Sequence, residues 1–166
     1  MAARMATVLL VVAGCGVGPG GEVGAEGDLV VNRVAAGRSL RFLDEPAVAT
    51  YCSHDSLLTI VAVDRNGAAG FAVRTMLPLS GAKTFQVAPA LADTGSAEAV
   101  IRIRTGVARI GVSGRIRLEG SATISGEFDV ALPDSAGTRP RLTGRLSRIP
   151  VRTGTQAGCG TEALSR

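Results

Sequence analysis

Apolar and polar residues alternate strictly through much of the second half of this chain of 166 residues. In Ile101-Arg102-Ile103-Arg104 and in Arg115-Ile116-Arg117-Leu118, every aliphatic residue neighbours an arginine. That period of two sends successive side chains to opposite faces of a strand. It predicts arginines in water and aliphatics in a core. The same reading predicts strands over Lys83 to Ala88, Ala97 to Arg104, Val107 to Glu119, Thr123 to Leu132 and Arg139 to Ile149. Earlier, Leu57 to Asp64 and Ala69 to Thr75 flank Asn66-Gly67, the strongest short hairpin signal. A two-residue turn there pairs Ala62 with Phe71 and Ile60 with Val73, so that both strands present matching apolar faces.

A weaker similarity recurs in the last strands. Ser113-Gly114-Arg115-Ile116, Ser125-Gly126-Glu127-Phe128 and Thr143-Gly144-Arg145-Leu146 share a hydroxyl, glycine, charge, apolar order. The steps between them are unequal, which argues against a solenoid repeat. Gly126 shares the inward parity of Ile124, Phe128 and Val130, where a missing side chain lets the sheet bend or a larger neighbour fill the gap. Composition agrees, with 22 glycines, four Phe, one Tyr and no Trp, and a core left to Val, Ile, Leu and Ala. The expected fold is one all-β domain over residues 28–166, an antiparallel β-sandwich or a partly closed up-and-down barrel.

The N-terminal stretch Val8 to Gly21, VLLVVAGCGVGPGG, admits two readings. Gly16, Gly18 and Gly21 have G-x-G-x-x-G spacing, which binds dinucleotides when the turn opens an amphipathic helix. Here Pro19, Gly20, Gly21, Gly24 and Gly27 follow instead. A helix over Gly16 to Gly27 would lose about 0.8 to 1 kcal/mol at each glycine. The export reading uses every part of the stretch: one charge at Arg4, an apolar core from Ala6 to Ala13, then small residues before Cys15. Such a core is too short to span a hydrocarbon layer, which needs about 20 residues.

Val12-Ala13-Gly14-Cys15 resembles the lipobox of bacterial lipoproteins. The resemblance implies a signal peptide over residues 1–14, lipidation of Cys15 and a tether over residues 15–27. Several acyl chains on one cysteine hold a protein stably at a bilayer, where a single chain is marginal. Gly16 to Gly27, broken by Pro19 and solvated by Glu22 and Glu26, would span on the order of 20 Å as a coil. The order of strands after Ser113 also resembles the C-terminal half of uncharacterised β-rich bacterial lipoproteins, which implies a fold and no activity. Gly16 stands where an aspartate acts as an inner-membrane retention signal in some bacteria. That leans the expected location towards the outer membrane of a cell envelope, with the domain in the periplasm or at the cell surface.

With Cys15 given to lipid, Cys52 and Cys159 are an even pair in an oxidising compartment, and a disulfide between them is expected. Two buried thiols or a metal pair are the competing readings, the second weakened by a single histidine. Charge is uneven: residues 15–101 carry six basic and nine acidic groups, and residues 102–152 carry ten arginines and four acids. The C-terminal sheet is therefore a basic surface. A three-residue loop after Leu118 would set Arg115 opposite Glu127, and the next hairpin would set Asp129 against Arg141. Arginines left over are a solvated face or a contact for anionic lipid headgroups, an envelope protein or an anionic polymer. Nucleic acid is not expected, because the basic strands lack aromatics.

Candidate chemistry is thin. Cys52-Ser53-His54-Asp55 puts a serine, the only histidine and an acid side by side, yet a triad is a spatial arrangement, and adjacent residues rarely aim at one atom. The expected protein is a non-enzymatic envelope lipoprotein acting as a structural or protein-contact module, without cofactor or metal. The alternatives are a small apolar-ligand carrier with a lipocalin-like barrel, requiring a cavity lined by residues such as Ile60, Phe71 and Phe128, and an envelope hydrolase using His54.

Overall fold

The computed structural model describes residues 27–67, 69–76, 81–103, 108–133 and 140–154. They form strands only: β1 (Gly27–Ala35), β2 (Arg38–Cys52), β3 (Leu57–Val63), β4 (Ala69–Met76), β5 (Lys83–Val87), β6 (Ser96–Ile103), β7 (Arg109–Ile110), β8 (Ser113–Glu119), β9 (Thr123–Ala131) and β10 (Arg141–Thr153). Residues 1–26 and 155–166, with the expected signal peptide, most of the tether, Cys15 and Cys159, lie outside the described residues.

The hairpin around Asn66-Gly67 forms in the expected register, with Ile60 opposite Val73 and Ala62 opposite Phe71. Gly67 supplies the positive φ that the turn needs, at 65°. From there the sheet runs β4-β3-β2-β1-β10-β9-β8-β5-β6 and returns to β4. The closing ladder is antiparallel, from Ala69 opposite Ile103 to Thr75 opposite Ala97. Nine strands thus make a closed barrel, the architecture that removes exposed edges. It is not a pure up-and-down meander, because β5 pairs parallel with β6 and the end of β10 pairs parallel with β2.

Two long strands escape the alternation rule. β1 and β2 were not among the expected strands, and a bulge between Val31 and Asn32 shifts their register. The shift reverses parity along β2, setting Leu43 inside opposite Val31 and Arg41, two residues away, outside opposite Asn32. Gly27, expected as the last residue of the tether, is instead the buried first residue of β1.

The expected strand Val107 to Glu119 is broken. Gly111 donates its amide to the Ala99 carbonyl on β6 (2.8 Å), and Val112 donates to the Ala131 carbonyl on β9 (2.9 Å). The chain therefore changes partner within one residue and turns the corner of the barrel. Gly111 permits this because a Cβ there would lie 2.5 Å from Val130 and 3.0 Å from Val87. The following hairpin has a longer loop than expected, so Arg117, and not Arg115, faces Glu127, while Arg115 faces Asp129.

Inward residues of all the larger strands join one apolar cluster. Phe71 of β4 and Phe128 of β9 come from opposite walls and stack with ring centroids 4.6 Å apart and planes at 23°. Gly144 stands opposite Phe128 in the β9–β10 ladder. A Cβ at Gly144 would run into the Phe128 ring and the Val30 carbonyl oxygen. The glycine thus makes room for the phenylalanine, which crosses the lumen to meet its partner.

Candidate functional site

Outward parity on β8, β9 and β10 collects polar groups. Arg115, Arg117, Glu127, Asp129, Thr143 and Arg145 line a concavity of about 650 Å³, with Arg41 of β2 and Thr84 of β5 at its margins. A second concavity of about 410 Å³ continues from it, shares Arg117, Glu127 and Arg145, and adds Glu119, Ser125 and Arg148. Both lie on the outer wall of the barrel, since the alternate residues Ile116, Leu118, Leu142 and Leu146 are buried at 0–1% exposure. The alternation in Arg115-Ile116-Arg117-Leu118 correctly separates the two faces.

Cross-strand geometry decides how much of this charge is internally paired. Arg141 forks onto Asp129, with Nε 2.9 Å and Nη2 2.6 Å from the two carboxylate oxygens. The expected partnership holds through a diagonal, because Asp129 is directly opposite Thr143 and Arg141 is opposite Ala131. Arg41 reaches Asp44 at 2.6 Å. Glu127 has Arg117 opposite it on one side and Arg145 on the other. No ion pair joins these three among the described residues. One carboxylate between two guanidinium groups leaves the strip positive.

Arg148 is placed by backbone geometry. Its φ of 47° sits in a register shift between Leu146 and Ile149, and its amide donates to Ser125 Oγ at 3.0 Å. The bulge carries β10 past the start of β1 and beside β2, where Thr153 pairs with Tyr51. Arg41 and Arg148 were not among the readable site residues. A bulge sits near each of them, and bulges break the periodicity from which faces are read.

The other candidates are not gathered into a catalytic site. His54 Nδ1 lies 2.6 Å from Asp55 Oδ1 on the turn between β2 and β3, with side chains 73% and 56% exposed. Ser53 is exposed on the same turn, which gives a reacting atom no shelter from water. Cys52 ends β2 at 1% exposure. Among the described residues, no three His, Cys, Asp or Glu side chains gather as metal ligands. No helix among them is long and apolar enough to cross a membrane.

Comparison with protein-family models, with curated proteins and with solved structures found no match.

Proposed function

We propose that this chain is a non-enzymatic, lipid-anchored module of a bacterial cell envelope that works through the outer wall of its barrel. The observation that carries the reading is the contrast between a lumen filled from wall to wall by Phe71 and Phe128 and an outer wall with concavities and arginines without ion pairs. A small β-barrel filled by its own side chains leaves its outer wall and its mouths for recognition, and the concavities lie on the wall. The lipobox resemblance at Val12-Ala13-Gly14-Cys15 supplies the anchor. Replacing Cys15 by Ser should abolish incorporation of labelled fatty acid into the protein, and labelling equal to that of the wild type would remove the anchor from the account.

The carrier alternative shares the closed barrel, and the stacked phenylalanines weigh against a ligand-sized space at their level. The hydrolase alternative rests on His54, whose exposed turn offers no pocket. Unchanged behaviour of a His54→Ala protein in a hydrolase screen is the expected outcome.

The disulfide belongs to the same reading. Gly154 donates its amide to the Tyr51 carbonyl at 2.8 Å, next to Cys52. Cys159 follows five residues later, a length of chain that spans up to about 17 Å. The parallel β10–β2 pairing brings Gly154 beside Tyr51, within that length of Cys52, which supports the disulfide. A Cys52–Cys159 bond would close a loop of roughly 100 residues and tie the last strand to the second.

A further inference from the structure

We infer that the strip formed by Arg117, Arg145 and Arg148 docks on the anionic headgroups of the bilayer that holds the protein, fixing which side of the barrel faces the membrane. The inference rests on the lipid-anchor reading and adds a partner for the outer wall. Its starting point is where the tether joins the barrel. Gly27 is wedged against the backbone of Ser147, Arg148 and Ile149, so closely that a Cβ would clash with all three. The chain that leads to Cys15 therefore leaves the wall beside the bulge that carries Arg148. Arg145 and Arg117 extend from that point across the second concavity.

Charge on the two sides of this exit differs. On the β10 and β8 side, Arg117, Arg145 and Arg148 outnumber Glu119 and Glu127. On the outer wall of the β1 and β2 side of Gly27 stand Asp28 and Asp44, with Arg41 already bound to Asp44. An anionic surface attracts the first side and repels the second, so the barrel leans on β10. The outer wall is polar and cannot enter hydrocarbon, which leaves the headgroup layer as the level of contact.

Magnitudes allow this with few charges. Surface potential falls within a Debye length of about 8 Å at physiological salt, and a coil-like tether with a mean span of about 20 Å would let the wall reach that layer. Tethering raises the effective concentration of the two surfaces to about millimolar. Each arginine near an anionic surface contributes about a fivefold change in partition. A net excess of one or two charges then decides an orientation without having to hold the protein by itself.

The test uses the full chain with Cys15→Ser, so that no acyl chain contributes, in flotation with vesicles of phosphatidylcholine alone or mixed with phosphatidylglycerol. The readout is the ratio of the two partition coefficients, in which the apolar segment of residues 6–13 is common to every variant. Arg117→Gln, Arg145→Gln and Arg148→Gln should each lower the ratio about fivefold, and high salt should erase it. Arg38→Gln and Arg65→Gln, at turns towards the opposite end of the barrel, should leave it unchanged. An equal fall for all five variants would mean net charge alone acts and would overturn the inference. So would no preference for anionic vesicles together with tight binding of a soluble polyphosphate, which would make an anionic polymer the partner. Failure of the anchor itself shows separately, as an unacylated Cys15 in protein taken from its own cells.

Discussion

Leu118, Phe128 and Leu146 stand one residue away from Arg117, Glu127 and Arg145 on the same three strands, yet the two sets meet different fates. The inward set is buried to within 3% of full burial, and its largest member crosses the lumen to stack on Phe71. The outward set lies in register, acid between two bases, with no ion pair formed among the three. Contact energy accumulates inside, where close packing and desolvation act on every methyl group. Outside, water and salt screen each interaction, so charges placed there add little to stability and remain available to a partner. The two faces of one sheet thus divide packing energy from exposed charge.

The widest gap between the faces is expected at Phe128. Phe128→Ala removes a ring that Gly144 makes room for and should cost about 3–5 kcal/mol in urea unfolding. A cost under about 1 kcal/mol would mean that the rings do not fill the lumen. Cys52→Ser should lower the melting temperature, by a stability loss of about 2–5 kcal/mol, and leave Cys159 open to alkylation in the native protein. If both thiols of the native wild-type protein react with maleimide, the proposed bond does not exist.

A smaller contrast lies between neighbours on β9. A Cβ at Gly126 would run into the Arg117 carbonyl oxygen, whereas Ser125 already carries a side chain, half-buried on the outer side. Gly126→Val should therefore cost about 1–3 kcal/mol by overpacking, and more than Ser125→Val measured in the same way. Equal losses would contradict the inward parity of Gly126. At the small end, Arg141→Ala removes the forked contact to Asp129 on a half-exposed surface and should change unfolding by about 0.2–1 kcal/mol. A larger loss would mean that the outer wall is structural after all.

Much of this division was legible in the chain, because alternation is a direct record of which face is wet. The Asn66-Gly67 hairpin was readable to the residue pair, since turn geometry fixes register over a short loop. The hairpin after Glu119 was not. Its loop is longer than a sequence signal specifies, and a change of two residues moves Arg115 from Glu127 to Asp129 while keeping every face correct. β1 and β2 escaped notice because a bulge at their midpoint breaks the period. Closure was out of reach for a different reason. It depends on Gly111 as a corner and on the long-range β4–β6 ladder, and neither leaves a local pattern. Of the candidate site, the arginines of β8 and β10 were visible as an alternating stripe. The contribution of Arg148, and its place beside Gly27, arises only from the bulge in β10.

Intact-mass spectrometry of the protein purified from its own membranes, before and after reduction, tests the anchored-barrel account most directly. The account predicts a mass for residues 15–166 plus several acyl chains, rising by the mass of two hydrogens on reduction. An unprocessed, unacylated chain whose mass does not change on reduction would contradict both the anchor and the Cys52–Cys159 bond.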